Sequence, residues 1–305
     1  MAKSGEFVGQ EYEVAQAGAD IEKDTRRGRA GKIAITTFFS VAILLSISVV
    51  AFSIVFFLCD VRGSSMMMTI NASYEQDATL RDNALANRFA TPDRSDIIVA
   101  SSLDGRSYII KRVIGLGGDR IRMVPIREDG SIINVPLNTR ISANATAAPW
   151  VRVDDVYDFR IMIMRAGTTS WTMLDESSYL DTDRWGRMMF YGENFFNYIN
   201  TNGMMNARRN ITHSSFVPFG HQIVTTGSYR YLLVPQDYMF YMGDNRGSDE
   251  REHFGRHSFD GTAYGARPMS ALEGVVSAII PYNQSFASFI WNQIVYVFTF
   301  RWLFG

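Results

Sequence analysis

One cysteine, Cys59, occurs in the 305 residues, so no intrachain disulfide is possible and the fold must rest on its core. With 47% hydrophobic residues, the chain has ample material for one. A net charge of −1 leaves no global basic field, which argues against an electrostatic nucleic-acid binder. Histidine is also scarce: His213, His221, His253 and His257 are the only four. His253 and His257 stand near a charged turn at i, i+4 spacing. They lack an H-E-x-x-H frame or a cysteine partner, and are read as solvent-exposed rather than as metal ligands. Long amphipathic helices and βαβ alternation are missing after residue 94, which disfavours a doubly wound fold. There is no internal repeat and no low-complexity tract.

What is present first is a charge-free apolar run, Ile33 to Cys59. Its 27 residues exceed the roughly 20 that a helix needs to cross a hydrocarbon core of about 30 Å. Lys23, Arg26, Arg27, Arg29 and Lys32 precede it, so the positive-inside rule keeps residues 1–32 cytoplasmic and places the rest outside. The run is too long for the apolar part of a cleavable leader and ends without an A-x-A-like site, so it reads as an uncleaved anchor. The aromatic-rich segment Phe286 to Phe304 fits an interfacial helix, a packed core helix or a second span.

From residue 94 the chain reads as short strands broken by turns: Ile97–Ala100, Tyr108–Ile114, Ile121–Val124, Val151–Val153, Phe159–Met164, Gln222–Thr226, Tyr231–Val234 and Val275–Ile280. Residues 74–93 read as a short helix or loop. Between 125 and 230 the composition shifts toward Asn, Asp, Arg, Thr, Met and aromatics, with turn signals such as Asp129-Gly130. The expected organisation is a tail (1–32), an anchor (33–59), a mostly β antiparallel core (60–124 and 231–282), an inserted β subdomain (125–230) and a C-terminal segment (283–305).

Three separated segments carry chemistry when read together. Val61-Arg62-Gly63-Ser64-Ser65-Met66 follows the apolar run directly. Tyr108-Ile109-Ile110-Lys111-Arg112-Val113-Ile114 sets a lysine inside a run that otherwise reads as a buried strand. A desolvated ammonium is costly and tends to lose its proton, and a neutral amine can take the proton of a serine hydroxyl without histidine. Tyr238 to Met242 then leads into Gly243-Asp244-Asn245-Arg246. Taken singly, each has a plain structural reading: a turn-capping serine, a strand-edge lysine and an Asx turn.

Together these segments resemble the boxes of type I signal peptidases, in the family's order behind an N-terminal anchor. Ser65-Met66 resembles the nucleophile box, and Arg94-Ser95-Asp96-Ile97-Ile98-Val99 the strand box usually written R-G-D-I-V. Lys111 to Asp119 resembles the K-R-V-[IV]-G-x-x-G-D box and Gly243 to Arg246 the G-D-N-R box. The size of the 125–230 segment points to the large-insert bacterial form.

The resemblance implies a membrane-bound serine endopeptidase that removes signal peptides from exported preproteins. Ser65 would be the nucleophile and Lys111 the general base. The Ser65 N–H and the Gly63 position would hold the oxyanion, and Ser248 would orient the lysine. Arg112 with Asp244, and Asp249 with Arg251, would brace the site. Val61, Met66, Ile70, Val99 and Ile110 are the candidates for shallow apolar pockets. Implied partners are preprotein signal peptides, the bilayer and nearby translocation machinery, with no cofactor and no nucleic acid. Implied location is the inner (cytoplasmic) membrane, single-pass, with the catalytic part outside. Three positions depart from the family: Gly63 where serine is common, Ser95 where glycine is usual, and Met68 where proline is usual. Those at Gly63 and Met68 motivate the alternative of a catalytically impaired relative acting as a membrane-anchored binding or assembly protein. The sequon at Asn71 would carry its glycan beside the cleft, which favours a bacterial source.

Overall fold

The structure, a computed structural model, describes residues 5–67, 69–71, 79–102, 107–142, 150–152, 155–179, 189–201, 219–245 and 261–298. Two compact units divide between Val55 and Phe56. The first contains helix α1 (Gly5–Val55). Its portion Gly31–Val55, 25 residues, is among the described residues the one helix long and apolar enough to cross a membrane. At 1.5 Å per residue it measures about 37 Å, against the roughly 30 Å of a hydrocarbon core. Ser46, Ser48 and Ser53 donate their hydroxyls to carbonyls about one turn back, at 2.8–2.9 Å, which relieves those groups of a need for water.

The helix stops before the apolar run does. Phe56–Cys59, expected at the end of the anchor, belong instead to strand β1 (Phe56–Asp60), whose five residues all pair with β2 (Asn83–Asn87). Hydropathy alone does not separate a spanning helix from a strand that continues it; the backbone pairing does.

After β2 come β3 (Ile97–Ser101), β4 (Tyr108–Leu116), β5 (Arg120–Ile126), β6 (Arg140–Ser142), β7 (Trp150–Arg152), β8 (Asp158–Met164) and β9 (Thr172–Met173). Helix α2 (Met189–Asn200) follows, then β10 (Ile223–Thr226), β11 (Tyr229–Leu233), β12 (Tyr238–Met242), α3 (Gly261–Tyr264), β13 (Arg267–Pro268), β14 (Leu272–Ile280) and α4 (Phe286–Phe298). One seven-stranded antiparallel sheet runs β1-β2-β14-β3-β4-β12-β13, and a five-stranded antiparallel sheet runs β10-β11-β5-β8-β9. The short β6–β7 pair is parallel. The fold is therefore mostly β, as expected, with α2 as a helix inside the segment expected to be an inserted β subdomain.

One core joins the two sheets. Ile114 of β4 and Phe240 of β12 pack with Ile121 and Phe159 of the second sheet and with Phe195 of α2. A second cluster lies around Ile98, Val113, Met239 and Tyr241. A third, Val61, Met66, Ile70 and Ala84, sits at the loop after β1. Each Val, Ile, Phe or Met side chain so removed from water contributes about 1.5–3 kcal/mol, so the Ser65 loop is held by its own apolar neighbours on either side. Along α4, Phe286 and Trp291 remain exposed.

Candidate active site

Ser65 opens a tight turn. Met67 N–H donates to Ser64 O at 3.0 Å, and the N–H groups of Thr69 and Ile70 both donate to Met66 O. Met66 and Ile70, at 2% and 0% exposure, point inward and anchor the turn, while Ser65 stays partly accessible. Upstream, Gly63 adopts φ +91°, a left-handed conformation that favours glycine over the serine common in the family.

The turn is clamped from three sides. Asn71, itself in a left-handed conformation (φ 60°) and 1% exposed, donates Nδ2 to Val61 O (2.9 Å) and Gly63 O (3.3 Å). It also exchanges bonds with Asp82, its N–H donating to Asp82 Oδ2 and its Oδ1 accepting from Asp82 N–H. Asn245 donates Nδ2 to Ser64 O (3.1 Å) and its backbone N–H to Ser65 O (3.0 Å). Because Ser64 O is turned toward Met67 and Asn245, the Ser65 N–H across the same planar peptide points the opposite way. The third clamp is an ion pair. Arg112 donates Nε and Nη2 to the Asp244 carboxylate (2.8 and 2.7 Å), Nη1 to Ser95 O (2.7 Å) and Nη2 to Thr69 Oγ1 (3.1 Å). Thr69 Oγ1 donates in turn to Asp244 at 2.5 Å. Arg112 and Asp244 are 7% and 0% exposed, and the Tyr179 ring covers the guanidinium at 4.0 Å.

Lys111 lies on β4, in register with Ile98 of β3, at 3% exposure. Its amine and the Ser65 loop meet over Gly243. A Cβ built on Gly243 would overlap Ser65 O and stand 3.4 Å from Lys111 Nζ, so only glycine lets the three segments close on one another here. A groove of about 410 Å³ leads away from this point. One wall is Phe57 to Gly63 with Ser65 and Met66; the other is Ser107 with Tyr108 to Ile110 of β4. β12 covers β4 from Arg112 to Leu116 only, so Tyr108–Ile110 keep an edge free of β12 along the groove.

Of the expected pocket residues, Val61, Met66 and Ile110 line the groove. Ile70 and Val99 are fully buried, Ile70 in the cluster beneath the turn and Val99 between β4 and β14, and neither reaches it. Ser248, Asp249, Arg251, Met68, His253 and His257 lie outside the described residues.

Sequence reading passed over several contributors. In the sequence Asn71 shows only as a sequon, yet its amide is buried and spent within the turn, where no glycan fits the folded chain. Thr69 and Asn245 carry the clamps just described. Arg94 and Asp119 pair in bidentate fashion (2.8 and 2.7 Å), and Asp119 also accepts from the N–H groups of Leu116 and Ala166. Burial alone would push the Asp119 carboxyl up, but these bonds and the Arg94 charge outweigh it and hold it below the usual carboxylate range. The signals were there, since Arg94 and Asp119 bound two of the family boxes, but no spacing rule pairs them.

Comparison with known proteins identifies a family. Signal peptidase I from Streptococcus pneumoniae serotype 4 (strain ATCC BAA-334 / TIGR4) is 40% identical over 81 residues, 26% of this chain and 36% of that protein. The same values hold for the protein of strain ATCC BAA-255 / R6. The chain thus spans about a third of the length of the curated relatives it matches. A crystal structure of a signal peptidase I from Enterococcus faecalis V583 is 19% identical, covering 62% of this chain and 98% of that one, with a TM-score of 0.25. Residues 33–281 match the family model described as signal peptidase, peptidase S26, and the chain belongs to that family.

Proposed function

We propose that this protein is a membrane-anchored endopeptidase that cuts signal peptides from exported preproteins, with Ser65 as nucleophile and Lys111 as general base. The convergence of the Lys111 amine and the Ser65 loop over Gly243 is the observation that carries the reading. An amine kept from water at 3% exposure is suited to act uncharged, and so to accept the Ser65 Oγ proton as that oxygen attacks the scissile carbonyl. The Ser65 N–H, turned away from its own loop, would donate to the developing oxyanion. Lys111 would then hand the proton to the leaving amine, and a water would hydrolyse the acyl-enzyme by the reverse transfers.

The groove supports an extended substrate. A chain lying along the β4 edge at Tyr108–Ile110 would add a strand there and bring a carbonyl to Ser65. Its walls at Val61, Met66 and Ile110 are apolar and suit the small side chains before a leader's cleavage site. The arginines and lysines preceding the apolar span favour a cytoplasmic N-terminus, with the catalytic unit on the outer side. Ser248 is proposed to orient Lys111, and Asp249 with Arg251 to brace the site.

The test is release of mature product from a preprotein by purified full-length protein. Wild type cleaves at one site, whereas Ser65→Ala and Lys111→Ala, both folded by circular dichroism, do not. Cleavage by either variant at the wild-type rate would overturn the dyad.

A further inference from the structure

Arg112 and Asp244, the buried ion pair behind the Ser65 turn, come from β4 and from the turn after β12, both strands of the seven-stranded sheet. The ring that covers the pair comes from elsewhere. Tyr179 follows β9, a strand of the five-stranded sheet, and its ring centre stands 4.0 Å from the Arg112 guanidinium carbon.

The turn that carries Tyr179 is built to hold it there. Leu174 N–H donates to Ile161 O at 2.9 Å, which ties the start of the turn to β8. Asp175 Oδ1 then accepts from the Ser177 N–H (3.0 Å) and the Ser177 hydroxyl (2.7 Å), and the Tyr179 N–H donates to Glu176 O at 3.1 Å. The phenol closes the set by donating to Glu176 Oε1 at 2.9 Å, and Glu176 is itself buried. Backbone and ring are both fixed, with the face of the ring turned to the cation.

Arg112 is the hub of the support. It holds Asp244, Thr69 Oγ1 and Ser95 O at once, and its chain neighbour is Lys111, as Gly243 is that of Asp244. An ion pair closed off from water keeps its strength, whereas one opened to water is weakened and screened by salt. We propose that Tyr179 is a positioning residue for the reaction: its ring keeps water and salt from the Arg112–Asp244 pair and so holds the Lys111 strand against the Ser65 turn and Gly243. The proposal rests on the Ser65–Lys111 reading and gives the five-stranded sheet a part in the site.

Leader-peptide cleavage by the full-length protein in neutral detergent tests this at about 0.1 M and about 1 M NaCl, between which the Debye length falls from about 10 Å to about 3 Å. Tyr179→Ala lowers kcat about five- to tenfold at the lower salt, the scale of a partly desolvated cation–π contact, with KM nearly unchanged. Its kcat relative to wild type falls about threefold further at the higher salt, because the opened pair is now screened. Tyr179→Phe keeps the ring without the bond to Glu176 and retains wild-type kcat at both salts. If Tyr179→Ala does not fold, Tyr179→Gln carries the same expectation. Urea unfolding midpoints measured alongside need no activity: the gap between wild type and the ring-less variant widens with salt. Ring-less variants equal to wild type overturn the proposal. So does a loss that is the same at both salts, which marks a merely loosened fold, or a loss in Tyr179→Phe as large as in Tyr179→Ala, which assigns the effect to the phenol bond. A folded wild type that does not cleave refutes the Ser65–Lys111 reading instead, and a gap in midpoints that does not respond to salt then still overturns the role of Tyr179.

Discussion

Replacing Gly243 with alanine probes the junction on which the site is built. The added methyl would overlap Ser65 O, an approach that side-chain carbons do not tolerate, and the Lys111 amine closes the other side at 3.4 Å. Relief requires the Ser65 carbonyl to move by about 1 Å. That motion strains the Asn245 N–H bond to Ser65 O, worth about 1 kcal/mol, and overpacks a closed contact, for a total loss of about 1–3 kcal/mol of stability. A displacement of about 1 Å between nucleophile and base costs on the order of 100-fold in rate. Steady-state cleavage of a leader peptide, with thermal unfolding measured alongside, should show kcat down about 100-fold, KM nearly unchanged and a folded protein with a lowered Tm. A Gly243→Ala enzyme within about threefold of wild-type kcat would refute the reasoning.

Three further outcomes follow from the same contacts. Asp244→Asn leaves Arg112 charged and buried without its carboxylate, and should cost about 3–5 kcal/mol in urea unfolding; a loss below about 1 kcal/mol would show that the pair is dispensable. Ser95 holds φ 73° where glycine is usual in the family, so Ser95→Gly should raise stability by up to about 1 kcal/mol, and a lowered Tm would contradict the strain. Asp119 has a folded pKa below its unfolded value of about 3.9, so its contribution is complete above that value and is lost as pH falls through the depressed one. Stability of the wild type should therefore drop on acidification below about pH 5 more steeply than that of Asp119→Asn, and parallel curves would exclude the linkage.

Much of this was legible in the sequence because strands carrying β-branched and aromatic residues announce themselves. β3, β4, β8 and β14 fall within two or three residues of the runs read at Ile97, Tyr108, Phe159 and Val275. β2 did not show: Asn83-Ala84-Leu85-Ala86-Asn87 has no β-branched residue, and is a strand because β1 and β14 pair with it on either side. β1 was hidden inside the apolar run. α2 was hidden by Gly192 and by Phe, Tyr and Asn, all weak helix formers, and holds through tertiary packing of Phe195, Phe196 and Ile199.

At the site, the proposed nucleophile and base and the Arg112–Asp244 pair could be named from the motifs. The clamps by Asn71, Thr69 and Asn245 could not, because Asn71 acts through a loop geometry that no local pattern encodes and the other two join segments far apart in sequence. The same applies to the groove walls, where burial beneath the turn removes Ile70, and burial between β4 and β14 removes Val99, from residues that look equivalent to Val61 and Ile110.

The most direct measurement is to identify the side chain that becomes covalently attached to a substrate mimic. A peptide boronate ending in Ala-Ala-Ala, incubated with the full-length protein and mapped by mass spectrometry, should mark Ser65 and no other residue, and the mark should vanish in Ser65→Ala. Attachment at a different side chain, or inhibition that persists unchanged in Ser65→Ala, would contradict the assignment.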